Sequence, residues 1–190
     1  MRHLPNLITG LRFLLIPALV LLLVEQRYTA AFAVFIVSAL SDLADGLIAR
    51  QWNVRTRLGA IADPLADKLT MLAVTLVLAS QALVPVWLAA AIVIRDVVIM
   101  GGAVAFHFVV GRVDMAPSRL SKFNTVLEFS VLSALLADAA RAIEVTALLP
   151  PLFVLVMATI LASGAHYVWV WGRRALASRQ SRRPGAADHT

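Results

Sequence analysis

At 190 residues, 61% hydrophobic and with a mean hydropathy of +0.85, the chain is too apolar for an ordinary soluble domain and reads as one integral membrane domain. The absence of cysteine excludes disulfides and thiolate metal sites. The net charge of +6 is spread along loops and ends with no soluble module to present it, which argues against a nucleic-acid partner and for attraction to anionic lipid head groups.

In residues 1–12, Leu4, Leu7, Ile8 and Leu11 alternate with Pro5, Asn6, Thr9 and Arg12, the spacing of a short amphipathic helix lying at the membrane interface. A first span follows, from about Phe13 to Val24. Arg2 and His3 ahead of an apolar run imitate a signal peptide, but Val24-Glu25-Gln26-Arg27 offers no small-residue cleavage site, so the segment is read as mature sequence.

A second span is expected over Thr29 to Arg50, a third over about Ala60 to Ala79 and a fourth from Pro85 to about Val110, with Arg95 and Asp96 set into it. The fifth covers roughly Lys122 to Ala137 and the sixth about Leu148 to Gly172. The expectation is therefore an all-α, polytopic protein: an interfacial segment at 1–12, a six-helix membrane domain at 13–172 and a basic, disordered tail at 173–190. His107 and the tryptophans Trp87, Trp169 and Trp171 fall near span ends and read as interfacial residues, whereas Glu128 lies within the fifth span with no partner evident from sequence.

Basic residues orient these spans. Arg50, Arg55, Arg57, Lys68, Arg112, Arg119, Lys122 and the tail arginines gather on the side of the N-terminus, against Arg27 and Arg141 on the other, which places that side in the cytoplasm.

The chemistry concentrates between Asp42 and Asp67. An ionisable side chain within a bilayer costs roughly 2.5 to 3.5 kcal/mol, so four carboxylates in this apolar setting call for positive partners. Asp42, Asp45, Gly46 and Ala49 fall at i, i+3, i+4 and i+7 of one helix face, and Asp63 and Asp67 at i and i+4 of the next. If the two faces turn together, they offer hard oxygen donors suited to magnesium or manganese. Gly46 and Ala49 lack bulk there, and Arg50 can fork onto a phosphate, so the group describes a diphosphate site. Two plainer readings stand beside it: Asp63-Pro64 also suits a helix N-cap and first turn, and Asp42 with Asp45 could be a solvated helix end.

Asp42-x2-Asp45-Gly46-x2-Ala49-Arg50-x8-Gly59-x3-Asp63-x3-Asp67 resembles the complete signature of the CDP-alcohol phosphatidyltransferases, without departure in letter or spacing. Under flat residue usage, chance would place those eight letters in such a chain on the order of once in 10⁸ sequences. The resemblance implies that Asp42, Asp45, Asp63 and Asp67 bind two divalent metal ions, Mg2+ or Mn2+, with Asp67 also the general base. It implies that Gly46, Ala49, Arg50, Thr56 and Gly59 contact the CDP donor, with Pro5 and Asn6 near its lipid. The expected donor is CDP-diacylglycerol, the acceptor a lipid or glycerol-phosphate alcohol, and the assembly a homodimer in a bacterial inner membrane with its site facing the cytoplasm.

Outside the signature, Arg95-Asp96 and the run Ser121-Lys122-x-Asn124-Thr125 are similar to the cardiolipin synthases of eukaryotic type, which use phosphatidylglycerol. That likeness implies an acceptor site of Arg95, Arg112, Arg119, Lys122 and Asn124. The phosphatidylglycerophosphate synthases, which use glycerol 3-phosphate, resemble Arg-Glu at the first position and a second Arg eight residues on, where this chain has Ala103. Two remote alternatives remain: an intramembrane prenyltransferase, which resembles two distant Asp-rich motifs where here both Asp pairs lie in one helical hairpin, and an ion carrier, which calls for acids through the membrane depth where apart from Asp96 and Glu128 the spans are nearly free of them.

Overall fold

Each apolar run folds as one helix, because a backbone withdrawn from water must satisfy its N–H and C=O groups within its own segment. The computed structural model describes the backbone of residues 4–51, 57–110 and 119–181, and the side chains of residues 14–41, 66–99, 101 and 120–165. The helices are α1 (Leu4–Val24), α2 (Tyr28–Gln51), α3 (Arg57–Ser80), α4 (Val86–Val110), α5 (Arg119–Ala139) and α6 (Leu149–Ser181), with a 3-10 turn at Thr146–Leu148. Among the described residues there is no strand.

Two boundaries differ from the sequence reading. The change expected between Arg12 and Phe13 is no break in the backbone, since α1 is continuous from Leu4 and passes through Pro17. Likewise α6 stays helical to Ser181, into the segment expected to be a disordered tail. Arg173, Arg174, Ala175, Leu176 and Ala177 are good helix formers, and extending an existing helix needs no new nucleus. Residues 182–190 lie outside the described residues.

Helix α1 packs against both α2 and α3, α2 against α5, α5 against α6, and α4 against α3 and α6. The core they share includes Leu23, Leu78, Leu88, Leu136 and Val156. Leu120–Ala139 and Thr146–Ala165 are long and apolar enough to cross a membrane, and Leu14–Val24 and Tyr28–Ser41 are shorter apolar helices. Leu21, Leu76, Ile94, Val126 and Leu161 stand exposed, an apolar exterior that suits lipid.

Three turns reverse the chain by the same device. After α1, Gln26 N–H bonds to Leu23 C=O and Arg27 N–H to Leu22 C=O, the pair of bonds that caps a helix C-terminus. The same pair recurs after α3 with Ala82 and Leu83, and after α5 with Arg141 and Ala142. Such a cap needs a left-handed residue, and here none is glycine: Gln26, Ala82 and Arg141 have φ of 55°, 60° and 57°. Side chains reinforce two of the turns. Gln81 Nε2 donates to Leu23 C=O at 2.6 Å while its Oε1 accepts from Tyr28 Oη at 3.0 Å, and Asp138 accepts from Val145 N–H and Thr146 Oγ1 at 2.7 and 2.8 Å.

A left-handed residue with a Cβ costs about 1 kcal/mol or more. Ala82→Gly is therefore expected to stabilise the protein by up to about 1 kcal/mol in unfolding experiments in detergent, offset in part by the entropy of glycine in the unfolded chain. A lower midpoint than wild type would show that the turn tolerates alanine without strain.

Candidate active site

The continuity of α2 and α3 sets the register of the acidic stretch. α2 runs unbroken through Asp42, Asp45, Gly46, Ala49 and Arg50, so the first row keeps its helical spacing. α3 begins at Arg57, upstream of Gly59, so Asp63 stands inside the helix rather than at its N-cap, and Asp63 and Asp67 are one turn apart. The capping explanation for Asp63 is thereby removed. Asp42, Asp45, Gly46, Ala49, Arg50, Gly59, Asp63, Pro5, Asn6 and Arg119 have described backbone but lie outside the described side chains, and Thr56 and Arg112 lie outside the described residues. Among the described residues no three acidic or histidine side chains form a group that could hold a metal.

Asp67 is the signature residue whose side chain is described. It is exposed and lines an open cavity of about 300 Å³, counting the solvent at its mouth, together with Phe35, Ser38 and Ala39 of α2, Thr70 and Met71 of α3, and Phe129 of α5. Phe35 and Phe129 stack with centroids 5.1 Å apart and fix the spacing of α2 and α5. Thr70 turns its hydroxyl back to Ala66 C=O, so that proton is already committed. The lining therefore combines the Asp67 carboxylate and the polar Ser38 and Thr70 with aromatic and aliphatic surface.

On the other side of α3 is a network of charges. Lys68 Nζ meets Asp96 Oδ1 and Oδ2 at 2.7 and 2.8 Å, and Arg95 Nη1 meets the same Oδ1 at 2.7 Å. Arg95 Nη2 donates to Ser121 Oγ at 2.8 Å and lies 3.4 Å from Ser121 C=O. One carboxylate thus joins α3 to α4, and one guanidinium joins α4 to the first turn of α5. Both terminal nitrogens of Arg95 are engaged within the protein, which makes it a cross-link between helices. Lys122 is exposed, while Asn124 is buried and its Oδ1 accepts from Thr159 Oγ1 of α6 at 2.6 Å.

Lys68 and Thr159 are the partners that sequence reasoning did not pair. Twenty-eight residues separate Lys68 from Asp96, and no helical period connects them. The signal that was legible is the polar stripe Ser121, Asn124 and Glu128 on a helix otherwise apolar at its buried positions.

Comparison with known proteins bears on the whole domain. The family model described as CDP-alcohol phosphatidyltransferase matches residues 2–171. A cardiolipin synthase (CMP-forming) / mitochondrial hydrolase fusion protein of Schizosaccharomyces pombe is 32% identical over 86% of this chain and 30% of its own length. The human cardiolipin synthase (CMP-forming) is 33% identical over 70% of this chain and 50% of its own. A CDP-diacylglycerol–glycerol-3-phosphate 3-phosphatidyltransferase of Pseudomonas fluorescens is 46% identical over 51% of this chain and 52% of its own. The chain thus spans about half or less of the length of these relatives.

The cross-link predicts a stability effect. Arg95→Leu leaves Asp96 with Lys68 alone and frees the start of α5, an expected loss of roughly 1.5 to 3 kcal/mol in thermal or denaturant unfolding. Arg95→Lys recovers only part, since an ammonium cannot fork to both partners. A loss below about 0.5 kcal/mol, the range of an ordinary surface change, would remove the cross-link assignment.

Proposed function

Because the chain belongs to the CDP-alcohol phosphatidyltransferase family, we propose that it transfers a phosphatidyl group from CDP-diacylglycerol to phosphatidylglycerol, releasing CMP and forming cardiolipin. The observation that carries this reading is Asp67: it lies at the edge of the cavity between α2, α3 and α5, one helical turn from Asp63 and on the chain that completes the acidic signature.

The acceptor hydroxyl is a poor nucleophile at neutral pH. In this reading Asp67 accepts its proton as the alcohol oxygen attacks the lipid-side phosphorus, the phosphoanhydride bond breaks, and CMP leaves with the bond's electrons. The carboxylates of Asp42, Asp45, Asp63 and Asp67 are hard oxygen donors that suit two Mg2+ or Mn2+ ions, which when bound neutralise diphosphate charge. Arg50 adds a fixed cation to the same phosphates, and Gly46 and Ala49 leave room for the nucleotide against α2, with Thr56 and Gly59 completing the CDP contacts. Aromatic and aliphatic lining beyond Asp67 suits acyl chains.

We read all six helices as spanning, with the acidic ends of α2 and α3 toward the cytoplasmic face of a bacterial inner membrane, and the assembly as a homodimer. The basic residues on that side and the apolar α5 and α6 support insertion in this sense. Arg112, Arg119 and Lys122 are the cations this reading assigns to the acceptor phosphate.

A second acceptor, glycerol 3-phosphate, is favoured by the Pseudomonas relative. Against it, the terminal nitrogens of Arg95 are already engaged and Ala103 supplies no charge, a poor setting for a dianion. Purified protein given labelled CDP-diacylglycerol with each acceptor separately is expected to yield product with phosphatidylglycerol; product from glycerol 3-phosphate alone would overturn the choice.

Two substitutions test the site. Asp67→Asn is expected to lower CMP release at least about 100-fold while nucleotide binding persists, and full turnover would end its assignment as base. Gly46→Leu is expected to abolish donor binding by filling the space beside α2; unchanged affinity for the donor would reduce the small-residue face to helix packing.

A further inference from the structure

Ser121, Asn124 and Glu128 recur at i, i+3 and i+7 on α5, one buried stripe of polar side chains. Ser121 is held by Arg95. The other two are only partly satisfied. Asn124 is 0% exposed: its Oδ1 lies 2.6 Å from Thr159 Oγ1, whose one proton also faces Val156 C=O, and among the described residues its Nδ2 has no partner; Glu128 is 2% exposed, and among the described residues neither of its carboxylate oxygens has one. A buried carboxylate with both oxygens open is costly, and more so within a bilayer.

Its surroundings restrict what can fill the gap. Glu128 lies within electrostatic range of Lys68, Asp96, Arg95 and Asp67. Lys68 and Arg95 supply two positive charges against the three carboxylates of Asp96, Asp67 and Glu128, so no net positive charge remains. An anionic phosphate gains no net attraction there and meets repulsion from Glu128. A hydroxyl fits: it donates to a carboxylate oxygen and accepts from an amide N–H at once.

Resting on the transferase reading above, we propose that Asn124 and Glu128 bind a second, non-reacting hydroxyl of the acceptor while its reacting hydroxyl faces Asp67, so that the site selects glycerol head groups over mono-alcohols. Glu128 is thereby a specificity residue for a polyol. The acceptor's phosphate is left to cations elsewhere.

The test changes one atom of the acceptor. CMP release by the full chain, with metal and CDP-diacylglycerol, is compared for phosphatidylglycerol and phosphatidyl-1,3-propanediol, which keeps the phosphate and terminal hydroxyl but lacks the secondary one. A parallel arm uses glycerol 3-phosphate and 3-hydroxypropyl phosphate. In whichever arm is active, wild type is expected to favour the glycerol compound about ten- to hundredfold in kcat/KM, as loss of a hydrogen bond to a buried charged group implies. Glu128→Leu and Asn124→Leu are expected to bring that ratio below about threefold, and Glu128→Gln, which keeps an acceptor oxygen, to retain part of it.

A purely structural role lowers both rates together and leaves the ratio unchanged, which would overturn the proposal. Equal use of the paired acceptors by wild type would overturn it without any variant. No CMP in either arm would instead remove the transferase reading on which it rests.

Discussion

The position of Asp96 governs the inner half of the bundle. A carboxylate only partly exposed between apolar helices calls for cationic partners, and here Lys68 of α3 and Arg95 of α4 meet it on the same oxygen. The pairing adds little to net stability against an apolar replacement, because desolvation offsets most of the attraction. Its consequence is geometric. It admits one registry of α3 against α4, and through Ser121 one registry of α4 against α5.

The two ends of the bundle are built on different terms. At the end where α1, α3 and α5 finish, short turns close with backbone bonds, and Gln81 and Asp138 add side-chain caps. Toward the other end the described contacts of Lys68, Arg95 and Asn124 run from helix to helix. The apolar core between Leu23, Leu78 and Leu136 separates the two and holds both in place.

Much of this was legible in the sequence, for a physical reason: a long apolar run has few alternatives to a helix, so the all-helical class and the order of the helices followed from hydropathy, while the separate interfacial segment merged into α1. The eight-letter stretch was legible because its spacing matches the 3.6-residue period on two successive helices. What was not legible depends on contacts between helices. The pairing of Lys68 with Asp96 and of Thr159 with Asn124 has no local signature, and neither has the bond from Arg95 to Ser121, 26 residues on. Helix ends were misjudged where local propensity outlasted hydropathy, at the arginine-rich end of α6.

Asp67 and Lys68 are consecutive, and successive residues of an α-helix point about 100° apart. Asp67 lines the cavity between α2, α3 and α5, while Lys68 grips Asp96 on α4. The ion pair therefore restrains the rotation of α3 about its own axis, and with it the direction in which Asp67 presents its carboxylate. A helix held only by leucine and valine packing could turn by a fraction of a residue at small cost. One held also by two charge-assisted bonds near 2.7 Å turns only as far as the flexible lysine stem can follow. The charges beside the cavity thus aim the residue that faces it.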